Sequence, residues 1–149
     1  MSSDLVEADR VSAARQAAAP RLAAAVTQAM QRLGMPGGQF LIELPPLPEP
    51  AAHGQENMAF LVAAHAGVTP RPLEKVASGG ELSRLALAIA VTTSGLGHAG
   101  TLVFDEVDSS VDGAVALTVG QLLRQLGRQR QVLCVTHLAQ VAASARCFF

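Results

Sequence analysis

Two short apolar runs, TLVF at 101–104 and QVLCV at 131–135, flank a segment, 115–126, whose apolar residues recur at helical spacing. Runs this short and this free of polar residues suit strands covered on both faces. A strand, a helix and a second strand in that order form a parallel pair joined by a right-handed crossover. The expected fold class is therefore α/β, with a parallel sheet at its core. The chain has 149 residues, 50% of them hydrophobic, which is enough for one domain with a real interior.

An open parallel sheet binds its ligands outside the carboxyl ends of its strands. Both runs deliver polar groups there. The first continues into DEVD, giving Asp105, Glu106 and Asp108, and the second into Thr136 and His137. Two adjacent acids at a strand end suit a magnesium-nucleotide site, where one carboxylate serves the metal and the next orients or deprotonates a water. A solvated strand end that caps the following helix explains the same acids.

The rest of the chain reads outward from this unit. Residues 4–33 are helical in composition, with Leu22, Val26, Met30 and Leu33 on one face; Pro20 divides them into two expected pieces. GMPGG at 34–38 ends the helix. QFLIEL and MAFLVAAH (58–65) are strand candidates, and PPLPEPAAHGQ between them reads as an irregular loop. Met58 and the five phenylalanines are expected in the core. A further helix is expected over 80–93, with Leu82, Leu85, Ala86, Ile89 and Ala90 facing inward.

Ahead of that helix stands VASGGELSR, residues 76–84. Ser78 is placed as an N-cap and Glu81, three residues on, completes a capping box. Gly79 and Gly80 strip side chains from the positive end of the helix, so a large anion can approach the backbone N–H groups. An ordinary cap has no need of both glycines. Phosphate is the anion that such a junction suits.

Other features narrow the partners. With 11 Lys+Arg against 12 Asp+Glu, no global basic field recruits nucleic acid. Cys134 and Cys147 are too few for a disulfide framework or a zinc site, and Cys134 is expected to be buried and reduced. Acidic residues near the N-terminus do not suit a signal peptide. The uncharged stretch 85–104 approaches membrane-spanning length but is broken by three threonine or serine residues and three glycines; helix, turn and strand is the expected reading. His53, His65 and His98 have no ligand spacing and read as loop or surface histidines.

Taken together, ASGGELSR resembles the signature motif of ABC-type ATPases, TLVFDE their Walker B strand, SSVD their D-loop and VLCVTH their switch-histidine strand, in the family's order. The wording VASGGELSRLALAI, LVFDEVD and QVLCVTHLAQVAA is most similar to the RecN family of bacterial DNA-repair proteins, relatives of the SMC proteins. The resemblance implies the C-terminal lobe of an ABC/SMC-type P-loop ATPase head, 34–149, preceded by the end of a coiled-coil stalk, 1–33. It implies that Ser78, Gly79 and Gly80, with Glu81 shaping the loop, contact the γ-phosphate of ATP held by an opposing subunit. It further implies that Asp105 supports Mg²⁺, that Glu106 is the general base, that Asp112 lies in the D-loop and that His137 senses the γ-phosphate. The implied setting is cytoplasmic and nucleoid-associated, with a head-to-head homodimer around ATP, DNA reached through the full-length protein, and no membrane.

The sequence contains no G-x-x-x-x-G-K-[ST] phosphate cradle, and its single lysine, Lys75, follows Glu74. The resemblance then implies that an N-terminal Walker A lobe is a necessary partner and that this chain alone does not turn over ATP. Two other readings remain: the same lobe of a different ABC-type ATPase such as a transporter, and a non-catalytic fragment or interaction module. Uncovered apolar sheet edges and self-association are expected of the isolated chain.

Overall fold

A computed structural model describes residues 3–76 and 78–146. The first element, α1 (Ser3–Arg32), is a single 30-residue helix, about 45 Å long, that runs through Pro20. The expected break does not occur. A proline in a helix removes one backbone hydrogen bond, and here the alanines on both sides, the strongest helix formers, carry the helix past it. Arg32 lies in the last turn, and Gly34 follows with φ +78°. The Met35 N–H then reaches back to the Met30 carbonyl at 3.3 Å, closing the helix with a left-handed glycine cap.

The C-terminal part of α1 is packed in the core through Val26 and Met30, joined by Leu33 just past its end. It lies on a three-stranded antiparallel sheet of order β1 (Gln39–Glu43), β4 (Ala59–Ala63) and β5 (Arg71–Pro72). Phe40 pairs with Val62 in register and both side chains are buried. The Thr27 hydroxyl accepts the Phe40 N–H at 3.0 Å, fixing helix to strand. Phe60, stacked on Phe40 with ring centroids 5.9 Å apart, remains part-exposed, as does Met58. Phe104 is buried, while Phe148 and Phe149 lie outside the described residues. The core expectation thus holds for Phe40 and Phe104 and fails for Phe60, which shares the face of Phe40 and Val62 but lies toward its exposed end, and for Met58, which precedes β4.

The proline-rich stretch is not an irregular loop. It forms a hairpin of β2 (Pro46–Ala51) and β3 (Gly54–Glu56). Prolines at every second position, 46, 48 and 50, lose their N–H groups along one side of a strand only, leaving the other side able to pair. The hairpin docks on the N-terminal half of α1 through polar groups. Ser12 donates to Glu56, Gln55 donates to Asp9 at 2.7 Å, Arg15 donates to the His53 carbonyl at 2.7 Å, and Arg15 pairs with Glu56 at 3.5 Å.

Helix α2 (Gly79–Thr92) packs on α1 and on α3 (Gly113–Leu126). Its buried face is Gly80, Arg84, Leu85, Leu87 and Ala88, rotated from the expected one; Leu82 and Ala86 are exposed. Strand β6 (Thr101–Phe104) pairs in parallel with β7 (Gln131–Cys134), Phe104 opposite Cys134, and α3 is the crossover. The parallel sheet has two strands, and the remaining strands pair antiparallel. Nor is β6 covered on both faces: Val103 is 68% exposed and Leu133 43%. Of the pair, β7 packs on α3, which in turn packs on α4 (Ala139–Ala142), while nothing among the described residues covers the outer face. Over 85–104 the chain passes from helix through turn to strand, and no described helix is long and apolar enough to cross a membrane.

Candidate functional site

Three segments converge at the C-terminal end of the parallel pair: the N-terminus of α2, the acidic turn after β6 and the polar turn after β7. Ser78 caps α2 as its pattern requires, its hydroxyl accepting the Glu81 N–H at 3.3 Å. The Glu81 carboxylate turns away from the cap and meets His65 Nε2 at 3.1 Å. His65 is thus tied to the start of α2 by an interaction that its isolated position in the sequence did not signal.

The acidic turn lies directly against this helix start. A methyl group added to Gly79 would fall on Glu106 Oε2, and one added to Gly80 would lie 2.9 Å from Ser109 Cβ. The two glycines therefore admit a carboxylate and a close-packed turn. Ser83 donates to the Asp105 carbonyl, and Arg84 Nη1 donates to the Ser109 carbonyl at 2.8 Å. Within the turn, the Asp105 carboxylate accepts the Glu106 N–H at 2.8 Å and the Ser109 N–H reaches the Glu106 carbonyl at 3.0 Å. These bonds hold Glu106 at φ 56°, a left-handed conformation that L side chains rarely adopt, with its carboxylate exposed.

Asp108 joins the acidic turn to the segment after β7. Its Oδ2 accepts the Thr136 hydroxyl, the His137 N–H at 2.9 Å and the Leu138 N–H at 3.2 Å. Burial raises the pKa of this carboxyl, but the Thr136 hydroxyl and the backbone N–H groups outweigh it, and the carboxyl lies below its ordinary range. The His137 side chain itself is exposed. Arg84, only 5% exposed, has its guanidinium lowered by burial against the raising effect of Glu81, and its Nε has no partner. Cys134 is half-buried, not buried, and burial, then Asp108 and Asp105, push its thiol up to about 11.

The expected residues thus fall into groups. Ser78, Gly79, Gly80, Asp105 and Glu106 come together directly, and His137 joins them through Asp108. Asp112 stands apart as the N-cap of α3, accepting the Val115 N–H at 2.8 Å. Sequence reasoning gave no role to Arg84 or to Asp108 beyond that of a third acid. No sequence signal marked Arg84, because it lies off the face expected of α2 and is buried only by the rotation of that face. Among the described residues no cluster of three or more His, Cys, Asp or Glu side chains forms a self-sufficient metal site.

Comparison of the fold finds the head domains of SMC proteins. The SMC head of Pyrococcus yayanosii superposes with a TM-score of 0.61 over 84% of this chain and 23% of that one, at 25% identity. That of Pyrococcus furiosus does so with 0.60 over 83% and 30%, at 23% identity. The architecture is that of the C-terminal lobe of an SMC-type ATPase head.

The sequence is more specific. It is 53% identical over 138 residues to the DNA repair protein RecN of Xylella fastidiosa, 49% over 136 residues to that of Haemophilus influenzae, and 42% over 133 residues to that of Deinococcus radiodurans. These alignments cover 91%, 91% and 89% of this chain and 25%, 24% and 23% of the relatives. The chain is RecN-like, consistent with the C-terminal portion of such a protein, and spans about a quarter of the length of the relatives it matches. No family model matches it.

Proposed function

We propose that this chain is the signature-and-hydrolysis lobe of a RecN-type DNA-repair ATPase, working with a lobe that carries the Walker A phosphate cradle. The observation that carries this reading is the Gly79–Gly80 helix start lying against Glu106: a helix N-terminus stripped of side chains, with the candidate general base beside it. The positive end of α2 favours negative charge in front of it, which the γ-phosphate would supply. Ser78, Gly79 and Gly80 would face the γ-phosphate of ATP held by an opposing subunit, with Glu81 fixing the loop through His65. A structure described as showing ATP-driven dimerization of SMC ATPases shares the fold at a TM-score of 0.50 over 84% of this chain, which supports a head-to-head homodimer.

Asp105 would hold Mg²⁺. Its carboxylate is exposed, and Mg²⁺ typically takes one or two carboxylates, with phosphate oxygens and water completing the shell. When bound, Mg²⁺ neutralises charge on the phosphates. Glu106 accepts a proton from the attacking water, and His137 faces the γ-phosphate from the neighbouring strand. Asp112, in the D-loop position, caps α3 and shapes the surface facing the partner head. Residues 1–33 would be the stalk end, through which the full-length protein reaches DNA in a cytoplasmic, nucleoid-associated setting.

The helix-start assignment is tested by placing a long cation at position 78. Ser78→Arg, in the chain joined to a Walker A lobe, is expected to abolish ATP-dependent dimers in analytical ultracentrifugation while the circular dichroism spectrum stays native. Dimers of normal affinity from that variant would contradict the assignment.

A further inference from the structure

Asp108 is 6% exposed, and three donors converge on one of its oxygens. They come from three consecutive residues: the Thr136 hydroxyl, the His137 N–H and the Leu138 N–H. The Thr136 hydroxyl oxygen also accepts the Leu138 N–H at 3.1 Å, so the turn closes on itself around the carboxylate. On the opposite flank the acidic turn is tied to α2 by Ser83 at the Asp105 carbonyl and by Arg84 at the Ser109 carbonyl. The backbone of His137 is thereby fixed to the turn that carries Glu106.

Among the described residues the His137 N–H is held by Asp108, while its side chain is exposed. Without the carboxylate, two backbone donors and a hydroxyl at the end of β7 lose their acceptor. An alanine supplies no acceptor at all, whereas an asparagine keeps one oxygen able to accept all three donors.

We infer that Asp108 is a positioning residue that sets the backbone of His137 relative to Glu106, so that the base and the phosphate-facing histidine move as one unit. The catalytic part of this inference rests on the function proposed above; the backbone part does not. An error of about 1 Å in such a group costs about 100-fold in rate.

The test combines turnover with amide exchange, both in the chain joined to a Walker A lobe. Asp108→Ala is expected to lower kcat for ATP about 100-fold with KM nearly unchanged. It should also speed hydrogen exchange at the His137 and Leu138 amides while the α2 and α3 amides keep their protection. Added to His137→Ala, it should cost nothing further, because a residue acting through His137 has no effect once the imidazole is gone. Thr136→Val removes one donor and keeps the carboxylate with its two backbone donors, so a smaller change in the same direction carries the test if the alanine variant does not fold. An equal loss in the presence and absence of His137, or unchanged exchange at residues 137 and 138, overturns the inference. If the unsubstituted assembly shows no turnover, the ATPase reading fails, and the exchange measurement alone decides whether Asp108 holds this backbone.

Discussion

Gly79 and Gly80 are adjacent but answer to different constraints. A methyl group on Gly79 meets the far end of the flexible Glu106 side chain, which can swing aside. At Gly80 it would lie 2.9 Å from Ser109 Cβ, 3.2 Å from Arg84 Nη1 and 3.3 Å from the Glu106 carbonyl, in a turn whose backbone is already bonded. Gly80→Ala should therefore cost roughly 1–3 kcal/mol of stability through overpacking, and Gly79→Ala should stay within about 0.5 kcal/mol. Chemical denaturation of the two variants gives the comparison, and equal losses would mean that the turn against α2 is looser than described. The pair was legible in the sequence as a bare helix start, but its asymmetry was not. Which glycine is buried depends on where Ser109 packs, 29 residues further along the chain.

At the scale of elements, helix α1 is anchored twice by different physics. Its last turns are held by apolar burial, and its first half by the β2–β3 hairpin through Ser12, Arg15 and Asp9. Glu56, 5% exposed, is the buried member of that polar contact. Arg15→Ala should free the hairpin and the start of the helix without touching the core. Exchange at the amides of residues 5–16 and 46–56 should then rise about tenfold or more, with α2 and α3 unaffected. A global loss of protection would instead make the hairpin part of the main cooperative unit. Neither the hairpin nor the unbroken helix was legible beforehand. Proline chemistry argues against both locally; flanking alanines override it in the helix, while the partners that hold the hairpin, Asp9 with Gln55 and Ser12 with Glu56, are more than forty residues apart.

For the whole molecule, the decisive feature is the bare outer face of the β6–β7 pair, where Val103, Leu133 and Val135 are exposed together. Both strands and their crossover were legible from hydrophobic runs and helical spacing, because these signals are local. Coverage was not, since a continuous apolar run reports what a strand tolerates on each face and not what lies there. An apolar face of this kind drives association. Val103→Thr with Leu133→Thr should shift the isolated chain toward monomer in sedimentation with little change in Tm, and unchanged association would place the sticky surface elsewhere. The proposal that this lobe acts with another is the account's central claim. The most direct measurement is Mg-ATP hydrolysis by this chain alone and then combined with a separately made Walker A lobe. Activity only in the combination, abolished by Glu106→Gln while ATP-dependent association persists, is the predicted result. Hydrolysis by the chain alone, or undiminished hydrolysis with Glu106→Gln, would contradict the account.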